Sequence, residues 1–207
     1  MNTENIHWLS HDSFRIDDQG KQIYIDPWKL SADSVKADYI FVTHSHYDHF
    51  SKEDIDIIKT AGTKIIGSAD VAKEFGKNAV AMNPNQEITM DRLKITAIPA
   101  YNINKKFHPK ANNWVGYLIT LSDGTVIYHA GDTDFIPEMK SLKVDIALLP
   151  VSGTYVMTAQ EAIQAANTFQ PKIVISMHYG TIVGNETDAE RFEAGFKGEC
   201  VIKTIEE

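Results

Sequence analysis

The sequence predicts an α/β protein with two β-sheets back to back and helices outside. Three observations carry this: strand-length apolar or alternating runs recur along the chain, helix-start signatures follow them, and the strand-then-helix order occurs twice. Ile6-Leu9, Ser13-Ile16 and Gln22-Ile25 read as strands, the last two separated by the turn Asp17-Asp18-Gln19-Gly20, and Tyr39-Val42 is a solidly apolar fourth. Ser51 with Asp54 has the form of a capping box, and Ile55, Ile57 and Ile58 give the helix an apolar side up to a Gly62 stop. Lys64-Ile66 is the next strand, Ala69-Phe75 a helix ended by Gly76, and Asn83-Pro84-Asn85 a turn before strands around Ile88 and at Leu93-Ile98.

The second half repeats the pattern. Trp114-Leu121 and Val126-His129 form a hairpin joined by Ser122-Asp123-Gly124-Thr125, and Asp145-Pro150 is a further strand. Thr158 with Glu161, and Thr187 with Glu190, are capping boxes; Ala162, Ile163 and Ala166, then Phe192 and Phe196, follow at helical spacing. Between these helices Lys172-Met177 is a buried-strand run that ends at His178.

At 207 residues and 43% hydrophobic content, with no linker-like stretch, the chain is expected to be one domain, residues 1–207. It shows neither a signal-peptide pattern nor a membrane span, so a cytoplasmic location is expected. Cys200 is the single cysteine, which rules out an internal disulfide and a cysteine cage for a metal. A net charge of -8 disfavours nucleic acid and leaves a small-molecule substrate as the expected partner.

Chemistry concentrates in Thr43-His44-Ser45-His46-Tyr47-Asp48-His49, directly after the apolar strand. Imidazole and carboxylate are ligands that borderline divalent cations prefer, and a tight loop can aim several at one point. His44 and His46, two apart, can share one direction, while Asp48 and His49 turn toward a second. Asp26, Asp132 and His178 also sit just past apolar strands, where ligand sites gather in α/β proteins.

The series His44-Ser45-His46-Tyr47-Asp48-His49, Gly131-Asp132, His178 resembles the metallo-β-lactamase superfamily of metal-dependent hydrolases over nearly the whole chain. Trp8-Leu9-Ser10-His11-Asp12-Ser13-Phe14, Ile25-Asp26-Pro27-Trp28 and Tyr128-His129-Ala130-Gly131-Asp132-Thr133 are similar to its small branch with L-ascorbate-6-phosphate lactonase-like and N-acyl-phosphatidylethanolamine phospholipase-like proteins. The resemblance implies a four-layer αββα sandwich with a metal pair at one edge of the β-layers. It puts His44 and His46 on a first metal, Asp48, His49 and His178 on a second, and Asp132 between them. The first-site histidine that relatives carry after a Pro-Ala-like pair is absent, since Pro99-Ala100 leads to Tyr101-Asn102; His108 is the expected substitute.

The implied cofactor is a pair of Zn2+ ions, with Mn2+ or Fe2+ as alternatives. The implied reaction is hydrolysis of a small ester, lactone or phosphodiester by a water acidified at the metals, with Asp48 and Asp132 as catalytic residues. His11, His129 and Asp26 are expected to hydrogen-bond ligands from behind. Lys105, Lys106, Tyr101, Trp114 and Tyr155 are expected near the site, which suits an anionic small molecule with an apolar part. Two other readings stand beside this one. A di-iron redox protein would need a glutamate where Ser45 stands, and a non-catalytic metal-binding or sensing domain draws support from Asn102.

Overall fold

The computed structural model describes residues 3–206. Its internal contacts gather into two units, residues 3–82 with 204–206, and residues 83–203.

In the first unit, β1 (Ile6–Ser10), β2 (Ser13–Asp18) and β3 (Lys21–Ile25) form an antiparallel meander. β4 (Tyr39–Val42), β5 (Lys64–Gly67) and β6 (Ala79–Ala81) then add in parallel, so the sheet runs in sequence order. Alternation places Phe14 and Ile16 inside while Arg15 and Asp17 stay half-buried. Parallel neighbours need crossovers: α1 (Lys52–Ile58) joins β4 to β5 and α2 (Ala69–Phe75) joins β5 to β6, while the loop 26–38 joins β3 to β4. Ile55, Ile58 and Val71 of these helices pack with Tyr24, Ile40, Val42 and Ile65. Ser51 caps α1 by accepting from Asp54 N, but the expected capping box is only half formed. The Asp54 carboxylate instead accepts from Lys29 N at 3.0 Å and Leu30 N at 2.8 Å, fixing the loop after β3. The helix also ends at Ile58, before Gly62.

In the second unit, β7 (Glu87–Met90), β8 (Leu93–Pro99), β9 (Val115–Thr120) and β10 (Val126–His129) are antiparallel. From β10 onward β11 (Ile146–Pro150), β12 (Ile173–Met177) and β13 (Glu199–Val201) are parallel. α3 (Ala159–Phe169) joins β11 to β12 and α4 (Glu186–Gly195) joins β12 to β13, and the buried-strand reading of Lys172-Met177 matches the complete burial of β12. The Thr158–Glu161 capping box is complete. The other box forms at Asn185 with Asp188, two residues before the expected Thr187 and Glu190, because the Asn185 side chain takes the amide of Thr187 and itself becomes the cap. Phe196 falls just beyond α4, yet its ring still stacks on Phe192. Gly116 is required where β9 meets β10, since a Cβ there would stand 2.5 Å from the His129 carbonyl oxygen. Both sheets are mixed and carry helical crossovers, the α/β class expected. Among the described residues, no helix is long and apolar enough to cross a membrane.

Candidate metal centre

β1 and β3 are both antiparallel to β2, and β4 is parallel to β3, so the carboxyl ends of β1, β3 and β4 share one edge of the first sheet. His11 and Asp12 follow β1, Asp26 follows β3, and the histidine run follows β4. His46 O accepts from His49 N at 3.1 Å and Phe50 N at 2.8 Å, which folds the loop into a tight turn. His49 thereby returns beside His44, with ring centroids 4.0 Å apart.

Asp26 sets the protonation of this turn. Its carboxylate accepts from Thr43 N at 2.7 Å, from Thr43 Oγ1 at 2.6 Å and from His49 Nδ1 at 2.7 Å. An ionised carboxylate only accepts, so His49 carries its proton on Nδ1 and presents Nε2 as a lone pair. The single hydroxyl hydrogen of Thr43 goes to Asp26, so at 3.0 Å the Thr43 oxygen accepts from His44 Nδ1, and His44 also presents Nε2. That atom lies 3.1 Å from His46 Nδ1. His49 Nε2 faces Asp12 Oδ2 at 3.5 Å and Asp48 Oδ2 at 3.9 Å, and His11 Nε2 faces Asp48 Oδ2 at 3.6 Å. Asp26, His44 and His49 each bring a donor atom within 4.8 Å of the others. Three donors already engage Asp26, which makes it an orienting group rather than a ligand.

In the second unit β8 and β10 are both antiparallel to β9, and β11 and β12 are parallel to β10. Their carboxyl ends again share an edge, followed by Asn102, Asp132, Ser152 and His178. Gly131, at φ +61°, turns the chain so that Asp132 points back to this edge; Asp132 Oδ2 stands 3.0 Å from His108 Nε2 and 3.4 Å from His178 Nε2. His178 hydrogen-bonds Ser152 Oγ through Nδ1 at 2.8 Å. Its backbone is left-handed at φ 62°, as are Asp26 at 48° and His11 at 37°. Such conformations cost about 1–3 kcal/mol each in a side-chain-bearing residue and cluster at functional sites.

Asn102 is not placed as a donor to a cation. Its Nδ2 donates to Asp134 Oδ1 at 3.1 Å and to Tyr155 O at 2.9 Å, which fixes the orientation of the amide. Oδ1 then accepts from His108 N at 3.0 Å and from His108 Nδ1 at 3.2 Å. His108 is therefore protonated on Nδ1 and turns Nε2 to Asp132, braced by the Trp114 ring at 5.6 Å.

The structure thus groups His44, His46, Asp48 and His49 in one unit and His108, Asp132 and His178 in the other. His129 Nδ1 accepts from Gly131 N at 3.2 Å and shapes the turn into Asp132. Lys105, expected near the site, is paired with Asp134 at 2.6 Å. Trp114 and Tyr101 are buried, and the Tyr101 hydroxyl donates to Glu138 at 2.9 Å. Four participants were given no role by the sequence reading. Asp12 follows a strand just as Asp26 does but sits in a two-residue hairpin loop, while Thr43, Ser152 and Asp134 act through hydrogen bonds that no local pattern announces. Asp134 holds the 102–105 loop, accepting also from Ile103 N at 2.7 Å. Burial pushes the Cys200 thiol up to about 12, so at neutral pH it is neither a thiolate ligand nor a nucleophile.

The donor chemistry fits a divalent metal. Nδ1 of His44, His49, His108 and His178 is engaged by a protein oxygen, leaving Nε2 as the ring atom turned toward other imidazoles and carboxylates. Imidazole with carboxylate suits zinc, manganese or ferrous iron.

Comparison with known proteins agrees with this chemistry. The family profile described as a beta-lactamase superfamily domain matches residues 5–178. A UPF0173 metal-dependent hydrolase of Methanosphaera stadtmanae is 33% identical, covering 95% of this chain and 92% of its own. A protein of the same description from Staphylothermus marinus is 36% identical over 91% of this chain and 89% of its own. Among solved structures, a candidate metal-dependent hydrolase from Parabacteroides distasonis superposes with a TM-score of 0.86 at 32% identity, covering 97% of this chain and 93% of its own. With a family match over most of its length and relatives of this identity and coverage, the chain belongs to the metal-dependent hydrolases of the metallo-β-lactamase superfamily.

Proposed function

We propose that the chain hydrolyses a small ester, lactone or phosphodiester with two divalent cations, zinc first, held by His44, His46, Asp48, His49, His108, Asp132 and His178. The observation that carries this reading is the shared arrangement of His44, His49, His108 and His178: each ring is anchored through Nδ1 and offers Nε2. Bound metals in such sites lower the pKa of water toward neutrality and polarise the carbonyl or phosphoryl oxygen of a substrate. The chain's own part is orientation and proton handling. Asp26 and Thr43 fix the tautomers of His49 and His44, and Asn102 fixes that of His108. Asp48, whose side chain is 14% exposed, is the carboxylate placed to accept a proton at Oδ2 and return it to a leaving group, with His11 Nε2 beside that oxygen. Asp132 would supply a carboxylate ligand to the cations.

The substrate is a small molecule rather than a nucleic acid, in keeping with the charge of -8. With Lys105 neutralised by Asp134, the exposed side chains of its loop are Ile103, Asn104, Lys106 and Phe107. The loop favours a substrate with an apolar portion over a multiply charged one. Elemental analysis of wild type, Asp132→Ala and His108→Ala, with turnover of chelated and metal-restored protein on ester, lactone and phosphodiester panels, tests the reading. About two ions per chain are expected, as in two-metal hydrolases, lost in Asp132→Ala and falling toward one in His108→Ala, with restorable turnover. Stoichiometric metal without turnover on any panel member would favour the sensing-domain reading. Protein that takes up no metal would overturn both.

A further inference from the structure

The face of β1–β3 that carries Arg15 borders a cavity lined by none of the candidate metal ligands. It has a volume of about 480 Å3, within the range of small-molecule pockets, and is bordered by that face, the loop after β3 and Glu206. The register of β1, β2 and β3 sets Arg15 between His7 and Tyr24, and Leu9 lies on the same side two residues beyond His7. The loop crosses above them, held by the Tyr24 hydroxyl, which donates to Val35 O at 2.8 Å, and by Asp54, which accepts from Lys29 N and Leu30 N.

The lining has two characters. Leu9, Leu30, Val35 and the Tyr24 ring give an apolar body. Arg15 and Lys29 give charge, and among the described residues neither lies within ion-pair distance of a carboxylate. Arg15 uses one N–H on Gln22 Oε1 at 2.9 Å, and the Lys29 ammonium lies 4.5 Å from the Trp28 ring centroid. The two acids at the cavity are already engaged: Glu206 pairs with His7 at 2.7 Å, and the Asp33 carboxylate accepts from the Ser31 hydroxyl. Each acid thus has a hydrogen-bond partner of its own, and the Arg15 guanidinium keeps N–H donors to spare. Burial raises the Tyr24 phenol above its usual range, and the Arg15 charge opposes that rise, so the guanidinium field reaches the cavity wall.

We propose that this cavity is a binding site for a small organic anion, a carboxylate or phosphate monoester with an apolar body, held by Arg15 and Lys29 and packed against Leu9, Leu30 and Val35. A guanidinium with donors to spare recognises a planar carboxylate or a phosphate through two parallel N–H bonds, and an adjacent ammonium adds a second charge-assisted contact. The site is independent of the hydrolytic reading. Its wall is nevertheless continuous with the chemistry: Lys29 and Leu30 follow Asp26, which orients His49, and Trp28, whose ring lies edge-on to His11 at 6.0 Å.

Calorimetric titration with phenylacetate, phenyl phosphate and the neutral benzyl alcohol tests the proposal. The proteins are wild type, Arg15→Gln/Lys29→Gln, Val35→Trp to fill the cavity while keeping both cations, and His44→Ala to disable the metal ligands. The expected result is one-to-one binding of at least one anion, retained in His44→Ala, weakened tenfold or more in the double variant, and lost in Val35→Trp, with no binding of the alcohol. Which anion binds identifies carboxylate or phosphate as the head group. Binding that vanishes in His44→Ala and survives in the other two variants belongs to the metal ligands and overturns the site. So does equal binding of benzyl alcohol, or no saturable binding of either anion at millimolar concentration.

Discussion

Asn102 commits both ends of its amide to placing one imidazole, and that makes its role separable from a ligand's. Truncation in Asn102→Ala removes the acceptor of His108 Nδ1 and frees the ring to rotate. Metal affinity is expected to fall about 10–100-fold, the usual effect of losing such a partner, while the number of ions per chain at saturating metal stays that of wild type. Competition against a chromophoric chelator reads both quantities. A lost ion at saturation would make Asn102 a ligand and displace His108. Asp26→Asn acts on the other histidine loop, because an amide cannot accept from Thr43 N, Thr43 Oγ1 and His49 Nδ1 at once without turning a donor toward one of them. The buried mismatch is expected to cost about 1–3 kcal/mol of stability by denaturant unfolding, together with weaker metal binding. These residues mark where sequence ran short. His44 to His49 stood out because four donor side chains within six residues have little other purpose, and Asp132 and His178 because each lies just past an apolar strand. Whether His129 or Ser152 backs a ligand depends on which way a side chain turns at the strand end, and adjacency along the chain does not contain that.

Asp145 shows how a single side chain can hold several elements in register. Its carboxylate accepts from Val126 N at 2.9 Å and Lys172 Nζ at 2.8 Å, and its carbonyl oxygen accepts from Lys172 N and Ile173 N, so the starts of β10, β11 and β12 meet there. The Lys172 hydrogen bond first, and the Val126 amide next, hold its carboxyl below the usual value of 3.8. A depressed acid contributes stability that is present above the unfolded pKa and disappears as pH falls through the folded one. Asp145→Asn is therefore expected to lose about 1 kcal/mol at pH 7, the modest scale of a half-exposed charged contact. The gap to wild type should narrow below pH 3.8 as both carry a neutral side chain. Urea midpoints across that range measure it, and a gap constant with pH would assign the loss to packing. Elements of this kind were well marked in the sequence where they were long or capped. β6 and β13 were not, because three-residue edge strands are too short to show alternation, and their pairing is set by neighbours distant in sequence. The start of α4 moved because Asn185 and Thr187 are both good caps, and only the chain's entry into the helix chooses between them.

At the scale of the whole molecule, the fold and the metals contribute stability from different sources, and chelation separates them. Each sheet has a fully buried set of large side chains, among them Phe14, Tyr24 and Phe41 in the first and Tyr117, Tyr128 and Phe192 with the second. Burial of this kind drives folding without any ion. Metal binding adds on top by linkage, about 4 kcal/mol when free metal exceeds its dissociation constant a thousandfold. For a chain of this size that is a rise in Tm of roughly 10 °C. Protein stripped with a chelator is thus expected to keep its far-ultraviolet circular dichroism and a cooperative transition, to melt lower, and to regain the higher Tm with Zn2+. Asp132→Ala should melt at one temperature with or without added metal. Collapse of the dichroism on chelation would mean that the ions hold the fold together, as in small zinc domains, and would shift the histidine and aspartate cluster from catalysis toward architecture. Retained structure with a metal-dependent Tm places the cations in a preformed site, with the positions of the ligands set by the sheets before any ion arrives.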